Sequence, residues 1–138
     1  MTGPDLHIIR GLPASGKTTL ARRLAAVGAV HVELDTHRRR LWPDCPPTWD
    51  PYRGPGLAVQ HAFEAEIAGL LAAGRNVIAD RTSLNVEGVR RLDALGGRLV
   101  IHDLRGVPLA DCLARDAARP ANRRVGATGI RDLAHSWL

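Results

Sequence analysis

The chain alternates short apolar runs with longer amphipathic stretches. Leu6-His7-Ile8-Ile9 is brief, apolar and β-branched, and predicts a buried strand. Leu20, Leu24 and Val27 recur at i, i+4 and i+7, which predicts a helix starting near Gly16. Residues 30–34 alternate and run up to Asp35, reading as a second strand, and residues 38–41 read as a short helical turn. Pro and Gly crowd residues 43–56, which predicts a loop. Residues 57–73 place Val59, Phe63, Ile67, Leu70 and Leu71 on one helical face, with Gly74 as the stop. A third strand over 76–80 ends in Asp80; a helix follows over 86–95, stopped by Gly96-Gly97, and then a fourth strand over 98–102. Pro108 opens another helix and Pro120 breaks it. Ile130, Leu133, Ala134 and Trp137 mark a short C-terminal helix that covers the core.

Strands alternating with helices predict an α/β fold, a parallel sheet of about four strands flanked by helices. Ligands of such sheets lie beyond the C-terminal strand ends. The segment from Gly11, then Asp35, then Asp80 follow the first three strands, so all three fall at that edge.

The first of these segments carries the most specific signal. Gly11-Leu12-Pro13-Ala14-Ser15-Gly16-Lys17-Thr18 matches the phosphate-binding loop pattern G-x-x-x-x-G-K-[ST], and it lies between a strand and a helix as that loop requires. The fold class expected is therefore the P-loop NTPase fold. Gly11, Pro13, Ala14, Ser15, Gly16, Lys17, Thr18 and Thr19 are the nucleotide-binding candidates, with backbone N–H groups and the helix end cradling phosphate oxygens. The Thr18 hydroxyl is placed to coordinate Mg²⁺. Lys17 is the only lysine; the other eighteen basic residues are arginines. A compact ammonium on a flexible stem reaches the β- and γ-phosphates where a planar guanidinium does not fit.

Composition narrows the setting. The 138 residues suit one domain with a sizeable core. No apolar run is long enough to span a membrane, and the first residues lack the order of a signal peptide. Cys45 and Cys112 have no metal-type spacing and read as reduced thiols in a cytoplasm, Cys112 as packing. The net charge of +5 suits an anionic partner, and ATP alone accounts for much of it. Nucleic acid is permitted by the charge and not required by it.

Several polar residues are candidates for chemistry. Asp35 is placed to take the proton of an attacking hydroxyl, and Arg38 to bind an acceptor phosphate or the transferring group. The plainer alternative makes Asp35 a helix cap and Arg38 to Arg40 a solvated turn. Asp80 is placed to hold Mg²⁺ through water or to orient Arg38; otherwise it is a strand-end turn residue. Arg81, Thr82, Ser83 and Asn85 either line an acceptor pocket or form an ordinary polar loop. Arg115, Arg119 and Arg123 are spaced by four, with Arg124 beside the last, and suit a lid that closes over ATP. The plainer alternative is a solvated helix paired in part to Asp111 and Asp116. Trp42, Trp49 and Tyr52 are three of five aromatics and either stack on a flat acceptor or pin down a Pro-rich loop.

Together, the segments GLPASGKTTLA, LDTHRR, NVIADRTSLN and CLARDAAR resemble the P-loop kinases of the polynucleotide 5′-kinase type, small AAA-type ATP-binding kinases. The resemblance runs from about Leu6 to Ile130. It implies one kinase domain over residues 1–138, with an arginine-bearing lid at about 106–128. It implies transfer of the γ-phosphoryl of ATP to a hydroxyl, foremost the 5′-OH of a polynucleotide or nucleotide. Lys17 and Thr18 then serve phosphate and Mg²⁺, Asp35 is the general base, and Arg38 contacts the acceptor phosphate with support from Asp80 and Thr82. Arg115 and Arg119 act from the lid. Asp116 departs from the family's usual Asn after the first lid arginine. Antibiotic, nucleoside and sugar kinases share this layout, so a small-molecule acceptor is an alternative. A nucleotide-binding regulatory NTPase is another; such a switch needs no base at Asp35.

Overall fold

A computed structural model describes residues 3–12, 14–46, 49–81 and 86–135, without the side chains of Arg123 and Leu133. Pro13, Thr82, Ser83, Asn85 and Trp137 lie outside the described residues.

Four strands, β1 (Asp5–Arg10), β2 (Val30–Glu33), β3 (Val77–Asp80) and β4 (Arg98–Asp103), form one parallel sheet in the order β2-β3-β1-β4. The central strands are buried on both faces, as parallel sheets require. Leu6, Ile8, Val32, Val77 and Ala79 face a core shared with Val59, Phe63, Ile67 and Leu71 of α3 (Gly54–Ala72) and Leu92 of α4 (Val86–Asp93). Ile9 and Ile78 face the other way, against Ala21 of α1 (Lys17–Ala26). A third cluster joins Leu12 to Cys112 of α5 (Leu109–Ala117) and Ile130 of α6 (Ala127–His135), so Cys112 does pack.

The sheet order positions the site. β3 lies between β1 and β2, so the end of β3 is flanked by the loop after β1 and the helix after β2. Glu33 and Asp80 are register partners at the last rung.

The elements match the sequence pattern with two shifts. The second strand stops at Glu33, and the chain turns directly into α2 (Leu34–Leu41). Asp35 therefore sits in the first turn of a helix and not at a strand end. Leu34 is buried among Val59 and Phe63, so the apolar alternation that suggests one more strand residue serves the helix equally well. A carboxylate in the first turn also suits the positive helix end. The second shift is in α3, which begins at Gly54, so the predicted loop is shorter than residues 43–56. Pro55 fits the first turn, where its missing N–H has no helical partner to lose. Gly56 belongs to that turn because a side chain there would strike the Asp50 carbonyl.

The segment expected to form the lid contains α5, a short 3-10 turn at Ala121–Arg123 and the start of α6. Pro108 and Pro120 cap the helix and the turn respectively, each just outside the element.

Candidate functional site

The loop after β1 is built around backbone conformations that few residues adopt. Gly16, the residue before α1, has φ +105°, and Ala14 has φ +66°. Left-handed residues here turn successive N–H groups toward one concave face, an arrangement that binds anions. Gly11 is needed for a different reason: a Cβ there would collide with the Ser15 hydroxyl. That hydroxyl is buried and has no partner. An orphaned donor in an N–H cradle fits a phosphate group.

Ala14, Gly16, Lys17, Thr18, Thr19, Asp80, Arg115 and Arg119 line one cavity of about 510 Å³. The strand end, Arg115 of α5 and Arg119 just beyond that helix thus meet the phosphate loop in one space. Burial lowers the pKa of the Lys17 ammonium; Arg119 lowers it further, and Asp80 opposes both. The two lowering causes mark a cation in need of an anion. Arg115 Nη1 donates to the Ala14 carbonyl at 3.3 Å, which ties α5 to the loop.

A second cavity, about 340 Å³, is lined by Glu33, Leu34, Asp35, Arg38, Trp49, Asp80 and Arg81. Asp80 borders both cavities, as its place in the middle of the sheet order dictates. Arg38 grips Asp35 Oδ1 with Nε at 2.7 Å and Nη2 at 2.6 Å, and Arg39 approaches Oδ2 at 3.7 Å. The pair is one helical turn apart, so α2 sets its spacing.

Among the described residues Asp80 forms its ion pair with His31, while Arg38 pairs with Asp35. Asp80 Oδ2 is held at 2.7 Å by Nε2 of His31, which also lies 3.6 Å from Glu33. The Asp80 hydrogen bond raises the His31 pKa, with burial opposing. Ligand atoms of His31, Glu33 and Asp80 all lie within 4.8 Å of one another. Sequence reading missed His31, although His31 and Glu33 share one face of a strand at period two. Mg²⁺ favours hard oxygen donors, and the Thr18 hydroxyl and Asp80 carboxylate on one cavity wall supply them.

Asp116 also has a role its sequence position hides. It is buried and accepts the backbone N–H groups of Val125 and Gly126 at 2.9 and 3.0 Å. These bonds hold its carboxyl below the usual range. Asp116 fastens the segment after α5 and leaves Arg119 only a 3.6 Å contact.

The aromatic loop does two things. Trp49 packs edge-on against Trp42, and both border the main core. Trp49 also lines the second cavity. Tyr52 lies under the Arg91 guanidinium, 5.4 Å from ring centre to Cζ.

The sequence profile of a family described as AAA domain matches residues 6–132. The chain belongs to this AAA-domain family. No curated protein is significantly similar to it in sequence. Among solved structures, this AAA domain is similar to a chain of the Pnkp1/Rnl/Hen1 RNA repair complex, with a TM-score of 0.81 and 21% identity over 99% of this chain and 44% of that one. A gluconokinase from Sinorhizobium meliloti 1021 aligns with a TM-score of 0.67 and 18% identity over 100% of this chain and 77% of that one. The Mycobacterium tuberculosis APS kinase CysC, solved with AMPPNP and APS, aligns with a TM-score of 0.62 and 19% identity over 86% of this chain and 71% of that one. The AAA domain thus has the P-loop kinase fold, and it spans less than half the length of the RNA-repair chain it matches.

Proposed function

We propose that the protein is an ATP-dependent kinase that transfers the γ-phosphoryl group to an alcohol, foremost the 5′-OH of a polynucleotide or nucleotide. The observation that carries this reading is the pair of cavities that meet at Asp80. One has a phosphate cradle and three cations. The other has a carboxylate, Asp35, suited to receive a hydroxyl proton.

In this reading the phosphate loop and Lys17 hold the triphosphate, and Thr18 and Asp80 would hold Mg²⁺, which would supply further charge neutralisation. The acceptor enters from the Trp49 side. Asp35 takes the proton of its hydroxyl as that oxygen bonds to the γ-phosphorus, and the bond to the β–γ bridging oxygen breaks, leaving ADP. Arg38, already held by Asp35, contacts the acceptor phosphate. Arg115 and Arg119 stabilise charge on the transferring group. The whole chain, residues 1–138, acts as one kinase domain in this proposal, with residues 106–128 as the lid. A polynucleotide acceptor is favoured by the resemblance in sequence and by the likeness to the RNA-repair chain.

The test is one assay with γ-labelled ATP across 5′-OH DNA and RNA oligomers, nucleosides, sugar alcohols and aminoglycosides. Label on oligonucleotides supports the leading acceptor. Label on a small alcohol alone replaces it with a small-molecule phosphotransferase. Hydrolysis without transfer to any acceptor supports a regulatory NTPase and ends the kinase reading.

A further inference from the structure

One cation in the second cavity, Arg81, forms no ion pair among the described residues. Arg81 follows Asp80 directly and is 8% exposed. Its Nη1 donates to Oε1 of Gln60 at 3.0 Å, and that is a neutral partner. Its Nε is buried with no partner. No carboxylate among the described residues forms an ion pair with it. The other arginines of that region differ: Arg38 is matched by Asp35, and Arg91 by Glu64 at 2.7 Å.

The surroundings hold Arg81 in place without neutralising it. Gln60 is fully buried on α3, and its Nε2 donates to Glu64 Oε1 at 2.9 Å. Glu64 is itself gripped by both Arg91 Nε and Arg91 Nη2. The acidic charge nearest in this chain of contacts is therefore already engaged one residue short of Arg81. A buried guanidinium left unpaired is costly, and an Arg fork matches planar or tetrahedral oxyanions better than any neutral group. Arg81 lines the cavity that also holds Arg38 and Trp49.

From this we infer that Arg81 is a second anion-binding residue of the acceptor cavity beside Arg38, and that the hydroxyl acceptor carries a phosphate group that Arg81 receives. The inference rests on the phosphoryl-transfer reading for the word acceptor, but the binding itself does not. Arg38 is spent in part on Asp35, so it meets the acceptor phosphate with only part of its charge. Arg81, one residue beyond Asp80 and anchored by Gln60, supplies the second contact to that phosphate. A neutral alcohol offers Arg81 nothing and leaves its charge buried and unmatched. Specificity for phosphate-bearing alcohols then comes from rejection as well as attraction.

The experiment compares adenosine 3′-monophosphate with adenosine, a pair that differs only in the phosphate. Binding of each is titrated calorimetrically to the wild type and to Arg81→Gln without ATP, and transfer to each is measured with γ-labelled ATP. The wild type should bind the phosphate-bearing nucleoside at least about tenfold more tightly than adenosine, and Arg81→Gln should erase most of that preference. The same preference should appear in kcat/KM, mainly through KM. Gluconate, a carboxylate-bearing alcohol, is a third probe: binding tighter than that of the 3′-monophosphate would overturn the assignment to phosphate. An unchanged preference in folded Arg81→Gln, judged by circular dichroism and melting temperature, would overturn the role of Arg81 while leaving the kinase reading intact. Loss of preference together with no transfer to any acceptor would support the anion site and end the kinase reading. Should Arg81→Gln not fold, Arg81→Lys keeps the charge but loses the fork; an undiminished preference there would count against the proposal, and a reduced one for it.

Discussion

Arg38 and Asp35 are bound to each other through two guanidinium nitrogens on a single carboxylate oxygen, at 2.7 and 2.6 Å. The pair lies on one turn of α2 and lines the second cavity, which meets the phosphate-loop cavity at Asp80. Arg38 thus occupies Oδ1 of Asp35, and Oδ2 is the oxygen left for a substrate proton, with Arg39 3.7 Å away. Arg38→Gln should release Asp35 and lower kcat/KM for a phosphate-bearing acceptor by about 10²-fold or more, with KM for ATP little changed. Steady-state kinetics in both substrates check this, and an effect confined to ATP would contradict it.

Lys17→Arg keeps the charge and changes its shape. The ammonium is half-buried beside Asp80 and Arg119, with its pKa pushed down chiefly by burial. A forked guanidinium presents the charge with a different shape and hydrogen-bonding geometry. Transfer should fall at least about 100-fold in the arginine variant. A labelled-ATP assay on the folded variant measures this, and near-normal transfer would remove Lys17 from the mechanism.

Arg119 and Arg115 should separate kinetically. Arg115 is committed to the Ala14 carbonyl, and Arg119 has only a 3.6 Å ionic contact with Asp116. Arg119 is the freer cation and the better match for charge on the transferring group. Arg119→Ala should lower kcat by about 10³-fold, within the range of an arginine contact at the transition state. Arg115→Ala should weaken ATP binding more than it slows turnover. The opposite assignment of kcat and KM effects would reverse the two roles.

Much of this was legible in the sequence, and the reasons are local. The phosphate loop is a contiguous pattern flanked by a strand and a helix, and both flanks are set by apolar periodicity. The parallel sheet followed from alternating strands and helices. Asp35 and Asp80 could be placed at one edge with the loop from Gly11 because strand ends define it, whereas Arg115 and Arg119 were expected on a lid by their spacing. What escaped is non-local or ambiguous at short range. His31 finds Asp80 across 49 positions, and Arg81 finds Gln60 across 21. No periodicity encodes such pairs. Asp116 looked like a surface helix residue, but its two backbone partners lie beyond Pro120 and bury it. Leu34 fits the last position of a strand or the first of a helix, so the β2 boundary was undetermined until the core around Val59 and Phe63 fixed it.

His31 gives stability a pH dependence with a definite sign. Its pairing with Asp80 raises its folded-state pKa above the ordinary 6.5. A raised value means that the folded state holds the proton longer than the unfolded chain. The contribution is complete below about pH 6.5 and is lost as pH rises through the higher folded value. In metal-free buffer, the melting-temperature gap between the wild type and His31→Ala should therefore narrow from about pH 6 to about pH 9. A gap that widens with pH would contradict the pairing.

Asp116→Ala should loosen the turn after α5. Removing the carboxylate leaves the Val125 and Gly126 N–H groups without their acceptor. The melting temperature should fall by several degrees, and Asp116→Asn should recover part of the loss because it keeps one acceptor oxygen. Differential scanning calorimetry of both variants tests this. Equal stability for all three proteins would assign the turn to other contacts.

The central claim is that this fold moves a phosphoryl group to a hydroxyl whose proton Asp35 receives. The most direct measurement is single-turnover transfer from γ-labelled ATP in Asp35→Asn, with ATP affinity measured on the same sample. The variant keeps the shape of the side chain and removes its basicity. Transfer to the best acceptor should fall by about 10²–10⁴-fold while ATP affinity stays within about twofold. Undiminished transfer in the folded variant would contradict the account.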